Sequence, residues 1–264
     1  MNLHELLRGL HRVYRPRNYL EIGVEHGFSL ALSRAPSVAI DPDFKVVTSI
    51  NCDVDLVQAT SDDFFARKDP LVHLRRGRNP FRVLARRDPL GILGGDPTLE
   101  LAFIDGMHLF EYALRDFMNV ERHSRWSSVI VFDDMLPRDV DEAARDRHTM
   151  FWTGDVYKLV TVLRKYRPDL TVIEVASEPT GVAVIFGADP QNTVLKEAYD
   201  DILEEYVTPD PQAVPDEVLV RKHAVRPEAL LRADFWPALV RARNLRRPRA
   251  GYDRLHEQIA ALGG

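Results

Sequence analysis

Two apolar runs of the sequence each end in acidic residues, and a histidine follows the first of these acids. The runs span residues 101–104 and 129–132. The side chains that follow them are Asp105, His108, Asp133 and Asp134. If the runs form neighbouring parallel strands, about 4.8 Å apart, their carboxyl ends meet at one edge of a sheet. Three carboxylates and an imidazole would then share one site, which suits cation binding or proton transfer.

A turn that contains two glycines follows an earlier apolar run. Residues 19–22 are predicted to form a short strand that leads into Gly23, and Gly27 precedes a predicted helix over residues 28–33. Glycine lets the backbone approach a ligand closely, and such a turn supplies free N–H groups. The spacing G-x-x-x-G differs from the G-x-G-x-x-G of dinucleotide-binding units, which disfavours a nicotinamide oxidoreductase. We predict a nucleotide-binding edge at this turn.

Asp41 ends the next predicted strand, over residues 37–40. It follows Glu21 by about 20 residues, the offset at which an acid meets the ribose hydroxyls in nucleotide-binding βαβ units. The alternative is that Asp41 only opens a turn before Pro42.

Two further ligand candidates follow a third predicted strand, over residues 54–60. Ser61 and Asp62 precede a short apolar stretch, so either side chain could face the adenine edge of a nucleotide. The alternative is a plain helix N-cap, a position that serine and aspartate favour.

The remaining patterns predict the elements that must position these residues. Apolar residues at helical spacing predict a lead-in helix over residues 3–14, and a crossover helix over 112–118 joins the two acid-ended strands. The other predicted elements are helices over 81–85 and 156–166, a helix or loop over 139–147, and an antiparallel hairpin of strands 170–175 and 181–186. Strands alternating with helices before a reversed last strand predict an α/β fold.

The composition shifts near residue 190, beyond which prolines interrupt the helical patterns. Helices are predicted there over residues 192–207, 228–242 and 252–262. We therefore expect a main domain over residues 1–190 and a helical C-terminal extension over residues 191–264. The extension is expected to pack on the main domain or on another subunit, which would give a homo-oligomer.

The length, net charge, apolar run lengths and cysteine count of the chain restrict the class of protein. The chain has 264 residues and a net charge of −5, and a nucleic-acid binder would usually be basic. No apolar run approaches the ~20 residues of a membrane helix, and the first residues lack the apolar core of a secretory signal. The single cysteine, Cys52, excludes an internal disulfide and a cysteine-based zinc site. We expect a cytoplasmic protein without nucleic-acid or membrane partners.

Two arginine-rich patches, at residues 75–87 and 241–249, stand out from this acidic background. Solvated helical faces or oligomer contacts are the expected explanation. Binding of an anionic substrate is the alternative.

The order of elements resembles the class I S-adenosylmethionine-dependent methyltransferase fold over about residues 15–190. That family carries acid-x-Gly-x-x-x-Gly near its first strand, matched here by Glu21, Gly23 and Gly27. Its ribose-binding acid after strand two is matched by Asp41. The resemblance implies a Rossmann-like, seven-stranded, mostly parallel sheet of order 3-2-1-4-5-7-6, with S-adenosylmethionine as the cofactor.

A narrower resemblance rests on the segments IDGMH, VIVFDD, TGDVYKLV and PTGVAVIFG. They are similar to the family of macrolide-sugar O-methyltransferases and their cephalosporin-biosynthesis relatives. In the macrolide-sugar enzymes an Asp-x-x-His supplies a metal ligand and the general base, and a Glu-Asp pair completes the metal site. The resemblance implies that Asp105, Asp133 and Asp134 hold a metal, that Asp105 also lies at the cofactor, and that His108 is the base. Asp133 replaces the glutamate of those enzymes.

Simple chemistry agrees with these roles. Three hard carboxylates without cysteine favour Mg²⁺ or Mn²⁺, which would lower the pKa of a substrate hydroxyl. The imidazole of His108 is suited to take the proton. Consecutive strand residues face opposite sides, so Asp133 and Asp134 can share a metal only if the chain bends there. The prediction is a Mg-dependent O-methyltransferase that acts on a small hydroxylated acceptor, such as a sugar or a glycosylated natural product.

Two other functions stay open on the sequence alone. One is a methyltransferase that uses no metal, and the other is a non-catalytic binding or scaffold module on the same fold. The segment TGDVYK leaves a similar choice, since Asp155 and Lys158 could contact substrate or simply pair one helical turn apart. Trp152 and Tyr157 are expected to be core or lid aromatics, with stacking on substrate as the alternative.

Overall fold

A seven-stranded sheet forms the centre of the computed structural model, which describes residues 1–76, 97–244 and 249–262. Its strands are β1 (Tyr19–Ile22), β2 (Ser37–Ile40), β3 (Val54–Val57), β4 (Leu101–Ile104), β5 (Val129–Phe132), β6 (Thr171–Val175) and β7 (Val182–Phe186). The strand order is β3-β2-β1-β4-β5-β7-β6. Strands β1 to β5 are parallel, and β7 is antiparallel to both β5 and β6. The predicted mixed sheet and its order are confirmed.

Helices cover both faces of this sheet. In the described part of the chain they are α1 (Leu3–Tyr14), α2 (Ser61–Phe65), α3 (Val72–Arg76), α4 (Phe110–Glu121), α5 (Lys158–Tyr166), α6 (Val194–Glu197), α7 (Tyr199–Tyr206), α8 (Asp216–Leu219), α9 (Pro227–Arg232), α10 (Trp236–Asn244) and α11 (Asp253–Ala260). No helix among the described residues is long and apolar enough to cross a membrane.

The first face of the sheet packs against the helices that connect the strands. Ile104 of β4 and Phe132 of β5 belong to one buried apolar cluster with Leu114 and Phe117 of α4 and Leu163 of α5. These strands are buried on both faces, so they are continuous apolar runs rather than alternating ones. The crossover helix α4 therefore fixes the segment after β4, which carries Asp105 and His108.

The second face packs against α1 and the C-terminal helices together. A second buried cluster joins Leu6 and Leu10 of α1 to Leu239 of α10 and Ile259 of α11. Phe103 of β4 lies in the same cluster. The C-terminal extension thus contributes to the core, and the division of the chain at residue 190 stays a prediction.

Some predicted helices differ from the observed ones. The helix expected over 28–33 is a single 3₁₀ turn at Leu30–Leu32, because Ser33 is already extended. Pro36 follows and disfavours helical backbone in the residue before it. The predicted helix over 81–85 lies outside the described residues.

The C-terminal helices are also more interrupted than predicted. Residues 192–207 form α6 and α7, and residues 228–242 form parts of α9 and α10 with an extended Ala233 between them. Pro237 lacks an N–H and fits only the first turn of a helix, so α10 has to start anew at Trp236.

The arginine-rich patches are only partly described. Arg243, expected in a solvated face, is buried, and its guanidinium donates to the carbonyl oxygens of Tyr14 and Arg15 at 2.9 Å. It also pairs with Glu100 at 3.2 Å. The expectation of a solvated position is therefore wrong for this arginine, which ties α10 to the end of α1.

Candidate active site

A cleft opens at the carboxyl ends of β1, β4 and β5. The Asp105 N–H donates to the carbonyl of Ile22 at 2.8 Å, and the Asp133 N–H donates to that of Ile104 at 3.0 Å. This ladder places Gly23, Asp105 and Asp133 side by side just beyond the strands. The order of strands reverses between β1 and β4, which is where ligands bind in open α/β sheets.

Three side chains in the cleft converge on one point. Asp105, His108 and Asp134 each offer a ligand atom, and these atoms lie within 4.8 Å of one another. The Nε2 atom of His108 lies 3.3 Å from Asp105 Oδ1 and 3.3 Å from Asp134 Oδ2. The predicted meeting of the two acid-ended strands therefore brings two carboxylates and one imidazole together.

Asp133 and Asp134 take different positions because the backbone bends between them. Asp134 has a φ of 62°, which is the left-handed region, so its side chain does not continue the alternation of β5. Asp133 lines the cleft but is not part of the group within 4.8 Å. The sequence-based metal set contained Asp133 and left His108 out, whereas the structure groups His108 with Asp105 and Asp134.

The carboxylates control the protonation of the imidazole. Burial lowers the pKa of His108, but the hydrogen bond to Asp105 and the charge of Asp134 outweigh it and raise that pKa to about 9. Burial and the charge of Asp105 raise the pKa of Asp134 to about 6. Burial and both neighbouring carboxylates hold the pKa of Asp133 well above its usual value. A cation would therefore compete with protons for this cluster.

Trp152 contacts the second nitrogen of the His108 ring and stacks on the ring. The Nδ1 atom of His108 lies 2.7 Å from the Trp152 carbonyl oxygen, and the two rings stack with centroids 4.9 Å apart. A carbonyl oxygen only accepts hydrogen bonds, so Nδ1 carries a proton and a neutral ring presents a free Nε2 to the carboxylates. The sequence predicted a core or lid aromatic here, with stacking on substrate as the alternative. It could not predict the contact with His108, because a contact from a main-chain carbonyl is not encoded in residue type.

The glycines of the first turn allow two loops to touch. Gly23 has a φ of 84°, and a Cβ on it would lie 1.7 Å from the carbonyl oxygen of Asp105. Gly27 also lies in the left-handed region, with a φ of 78°. The turn after β1 therefore packs directly on the turn after β4, at the place predicted to receive a nucleotide.

Asp41 organises this turn. Its Oδ2 accepts hydrogen bonds from the N–H groups of Val24 and Glu25, both at 2.8 Å, and its Oδ1 accepts from the Asp43 N–H at 2.7 Å. The sequence offered a ribose contact or a local turn, and the turn contacts are present. The carboxylate fixes the backbone between Gly23 and Gly27.

Glu21 lies beneath the turn rather than in the cleft. Its side chain is fully buried and accepts hydrogen bonds from the hydroxyls of Tyr19 at 2.5 Å and Ser29 at 2.7 Å. Burial raises the pKa of Glu21 to about 8, against the effect of these two hydrogen bonds. This acid of the motif therefore anchors the turn from below.

Ser61 and Asp62 both contact α4. Thr60 is the N-cap of α2, so neither Ser61 nor Asp62 is the cap that the alternative to ligand binding predicted. The Ser61 hydroxyl donates to Asp116 Oδ1 at 2.5 Å, and Asp62 accepts from Arg115 at 2.9 Å. Sequence analysis did not find Asp116, a buried carboxylate that lines the cleft and whose pKa burial raises to about 7.

Comparison with known families gave one match. Residues 20–135 match a family model described as "Methyltransferase domain". The matched span begins in β1 and ends just beyond β5, so it contains the two glycines of the first turn and all the acids of the cleft. Comparison with curated protein sequences gave no match.

Solved structures with a similar fold include three methyltransferases. An O-methyltransferase from Bacillus cereus, solved with SAH, is 13% identical, with 69% of this chain and 80% of that chain covered and a TM-score of 0.38. TomG from Streptomyces achromogenes, solved with SAM, is 18% identical, with 70% and 79% covered and a TM-score of 0.38. MycE of the mycinamycin pathway, solved with Mg, SAH and mycinamycin VI, is 16% identical, with 70% and 49% covered and a TM-score of 0.41.

Proposed function

We propose that this chain is a class I S-adenosylmethionine-dependent methyltransferase that methylates a hydroxyl oxygen of a small hydroxylated metabolite, such as a sugar or a glycosylated natural product. The matched methyltransferase domain model and the strand order of the sheet support this assignment. The observation that carries the proposal is the convergence of Asp105, His108 and Asp134 within 4.8 Å beside the β1–β4 crevice. A hydroxyl acceptor must lose a proton during methylation, and this group of side chains is suited to remove one.

The donor set fits a hard divalent cation. The carboxylates of this group, without cysteine, suit Mg²⁺ or Mn²⁺ better than a soft metal. Asp105 and Asp134 would hold the ion, with Asp133 as the further ligand predicted from the sequence. When bound, such an ion lowers the pKa of a coordinated hydroxyl and orients it.

His108 is the proposed general base of the cation-bound site, because a bound cation would offset the charges of Asp105 and Asp134 that raise the pKa of its imidazole. Its Nδ1 is committed to the Trp152 carbonyl, so Nε2 is the atom that takes the hydroxyl proton. The nearby charges of Asp105 and Asp134 stabilise the imidazolium that results. Methyl transfer from a sulfonium is intrinsically favourable, so holding the acceptor in line and removing its proton are the tasks left to the protein.

S-adenosylmethionine is proposed to lie across the turn after β1. Gly23 and Gly27 permit close approach, and Asp41 is proposed to reach the ribose hydroxyls while it orders the turn. The other cofactor-binding residues proposed from the sequence are Glu21, Ser61, Asp62 and Asp105. Among these Glu21 would act through the backbone of the turn, since its carboxylate is buried below it.

A metal-independent methyltransferase is the second candidate, and one observation favours it. His108 already bridges Asp105 and Asp134 at 3.3 Å, so a protonated imidazole can balance both carboxylates without an added ion. A cytoplasmic location, the absence of nucleic-acid and membrane partners, and oligomerisation through the extension stay predictions.

Two titrations test the proposal and separate its candidates. Calorimetry with S-adenosylhomocysteine is expected to show one site per chain, and absence of binding contradicts the methyltransferase assignment. Mn²⁺ titration, followed by electron paramagnetic resonance, is expected to show one bound ion per chain. Cofactor binding without any Mn²⁺ binding would favour the metal-independent candidate.

A further inference from the structure

Asp155 lies in the TGDVYK segment, and its side chain is fully buried with both oxygens occupied. Its Oδ1 accepts a hydrogen bond from the Phe110 N–H at 2.8 Å. Its Oδ2 accepts from Arg145 Nη1 at 2.7 Å and from Lys158 Nζ at 3.0 Å. One carboxylate therefore joins the start of α4, the loop before Trp152 and the start of α5.

These contacts join two segments that are next to His108: the start of α4, which follows it in the chain, and the segment from Trp152 to Asp155, which packs against it. Phe110 begins α4 two residues after His108, and Trp152 stands three residues before Asp155. Gly154, between them, has a φ of 60°, and a Cβ on it would lie 1.6 Å from the His108 carbonyl oxygen. The segment from Trp152 to Asp155 thus contacts the ring of His108, its backbone and the helix that follows it.

The same network reaches the C-terminal extension. Lys158 Nζ donates to the Tyr206 carbonyl at 2.8 Å and to Gln212 Oε1 at 2.5 Å. The carboxylate of Asp210 accepts from the Arg145 N–H, at 3.0 Å and 2.9 Å to its two oxygens. Residues 206–212 therefore also hold the loop that carries Trp152.

We propose that Asp155 is a positioning residue that fixes the orientation of His108, and that residues 206–212 of the extension complete this support through Lys158 and Arg145. The imidazole stacks on Trp152 and its backbone leads into α4, and Asp155 ties these two segments together. The expected effect of Asp155 on cation affinity rests on the function proposed above. Its expected effect on the orientation of the His108 imidazole does not depend on that function.

The test compares Asp155→Asn with the parent protein. Asparagine keeps an acceptor for the Phe110 N–H but turns an amide toward Arg145 and Lys158, so the loop loses its tie. Hydrogen exchange of residues 139–153 is expected to become at least about tenfold faster, with exchange of residues 23–33 unchanged. Long-range ¹H–¹⁵N NMR, recorded above pH 9 so that the imidazole is neutral, is expected to show a tautomer mixture at His108 in place of a single Nδ1–H form. Mn²⁺ affinity is expected to fall about tenfold, the usual size for loss of an outer support, with S-adenosylhomocysteine affinity within about twofold.

Glu121→Gln is the matched control. Glu121 is a buried carboxylate at the other end of α4, paired with Arg167 at 2.6 Å. The Glu121→Gln substitution should destabilise the fold without changing hydrogen exchange at residues 139–153 or the tautomer of His108. Asp210→Ala, a change at an exposed side chain that removes both acceptors of the Arg145 N–H, should give the same exchange effect as Asp155→Asn in weaker form.

The proposal is overturned if Asp155→Asn and Glu121→Gln are indistinguishable in loop exchange and His108 tautomer. If Asp155→Asn does not fold, unchanged loop exchange in Asp210→Ala overturns the proposal by itself. If the parent protein binds neither S-adenosylhomocysteine nor Mn²⁺, the proposed function fails, while the exchange and tautomer measurements still decide the role of Asp155.

Discussion

At the scale of single residues, the backbone decides which acid of the cleft reaches His108. Asp133 and Asp134 are chemically identical neighbours, yet the left-handed φ of Asp134 turns it toward the imidazole. Sequence alone predicted that the acids and the histidine would share one edge of the sheet. It could not assign the ligand set, because one bend after β5 separates the two aspartates.

The first prediction concerns these two aspartates. We expect Asp134→Asn to weaken Mn²⁺ binding by about tenfold or more, because it removes a carboxylate from the group within 4.8 Å. Asp133→Asn should weaken it less than about threefold. Asp200→Asn, an exposed acid on α7, is the control for the loss of one negative charge. Equal losses of Mn²⁺ affinity in Asp133→Asn and Asp134→Asn would contradict this expectation and support the ligand set predicted from the sequence.

The second prediction concerns the pH dependence of stability. Burial raises the pKa of Glu21 to about 8, above the ordinary value of 4.5, so the folded state keeps a proton that the unfolded state releases. This contribution is complete below about pH 4.5 and is lost as the pH rises to about 8, at about 1.4 kcal/mol per pKa unit. Glu21→Gln should flatten that decline.

Urea unfolding at pH 5, 6, 7 and 8 measures this effect. The difference in unfolding free energy between the variant and the parent should change in favour of the variant as the pH rises. Glu204→Gln, at an exposed acid of α7, is the control for the loss of one surface carboxylate. If the unfolding free energies of Glu21→Gln and of the parent change in parallel with pH, the raised pKa of Glu21 is contradicted.

At the scale of elements, the turns after β1 and β4 form one unit. The left-handed φ of Gly23 and its contact with the Asp105 carbonyl are both required for these turns to meet. The spacing of the glycines predicted a ligand-binding turn. The interlock with β4 could not be predicted, because it depends on the distance between strands that are about eighty residues apart in the chain.

The third prediction follows from that interlock. Gly23→Ala should destabilise the fold by about 2 kcal/mol or more and weaken S-adenosylhomocysteine binding at least about tenfold, since a methyl group would separate the two turns. Thermal unfolding and calorimetry measure the two effects. Gly187→Ala is the control, because it is also left-handed and crowded, by Tyr252 near β7. It should cost stability and leave the affinity of the folded protein unchanged, and equal affinity losses would contradict a specific role for Gly23.

At the scale of the whole molecule, the C-terminal helices are part of the sheet's cover. The sequence predicted helices after residue 190 and their packing on the main domain or on a second subunit. The structure shows the packing within one chain, where Leu239 and Ile259 share a core with Leu10. The composition shift at residue 190 could not reveal this, because the interrupting prolines resemble those of a linker.

The fourth prediction is that residues 1–190 alone do not form a stable domain. Without α9 to α11, the face of the sheet that carries Phe103 and Val184 loses much of its cover and leaves a large apolar patch in water. Such a fragment should bind a hydrophobic dye strongly, sediment as aggregates and lack a cooperative melting transition. A fragment that melts cooperatively near the temperature of the full chain would contradict this and support a separate extension.

Helices from both ends of the chain cover the same face of the sheet, so this face is completed only late in synthesis. Tyr14 lies near the beginning of the chain, whereas Arg243, which donates to its carbonyl, is made more than two hundred residues later. At about 5–20 residues per second, a ribosome needs roughly 10 to 50 seconds to cover that interval. Throughout it, α1 and the strands are present without the helices that complete the layer. We therefore expect the nascent chain to expose this apolar layer to water until translation has passed α11.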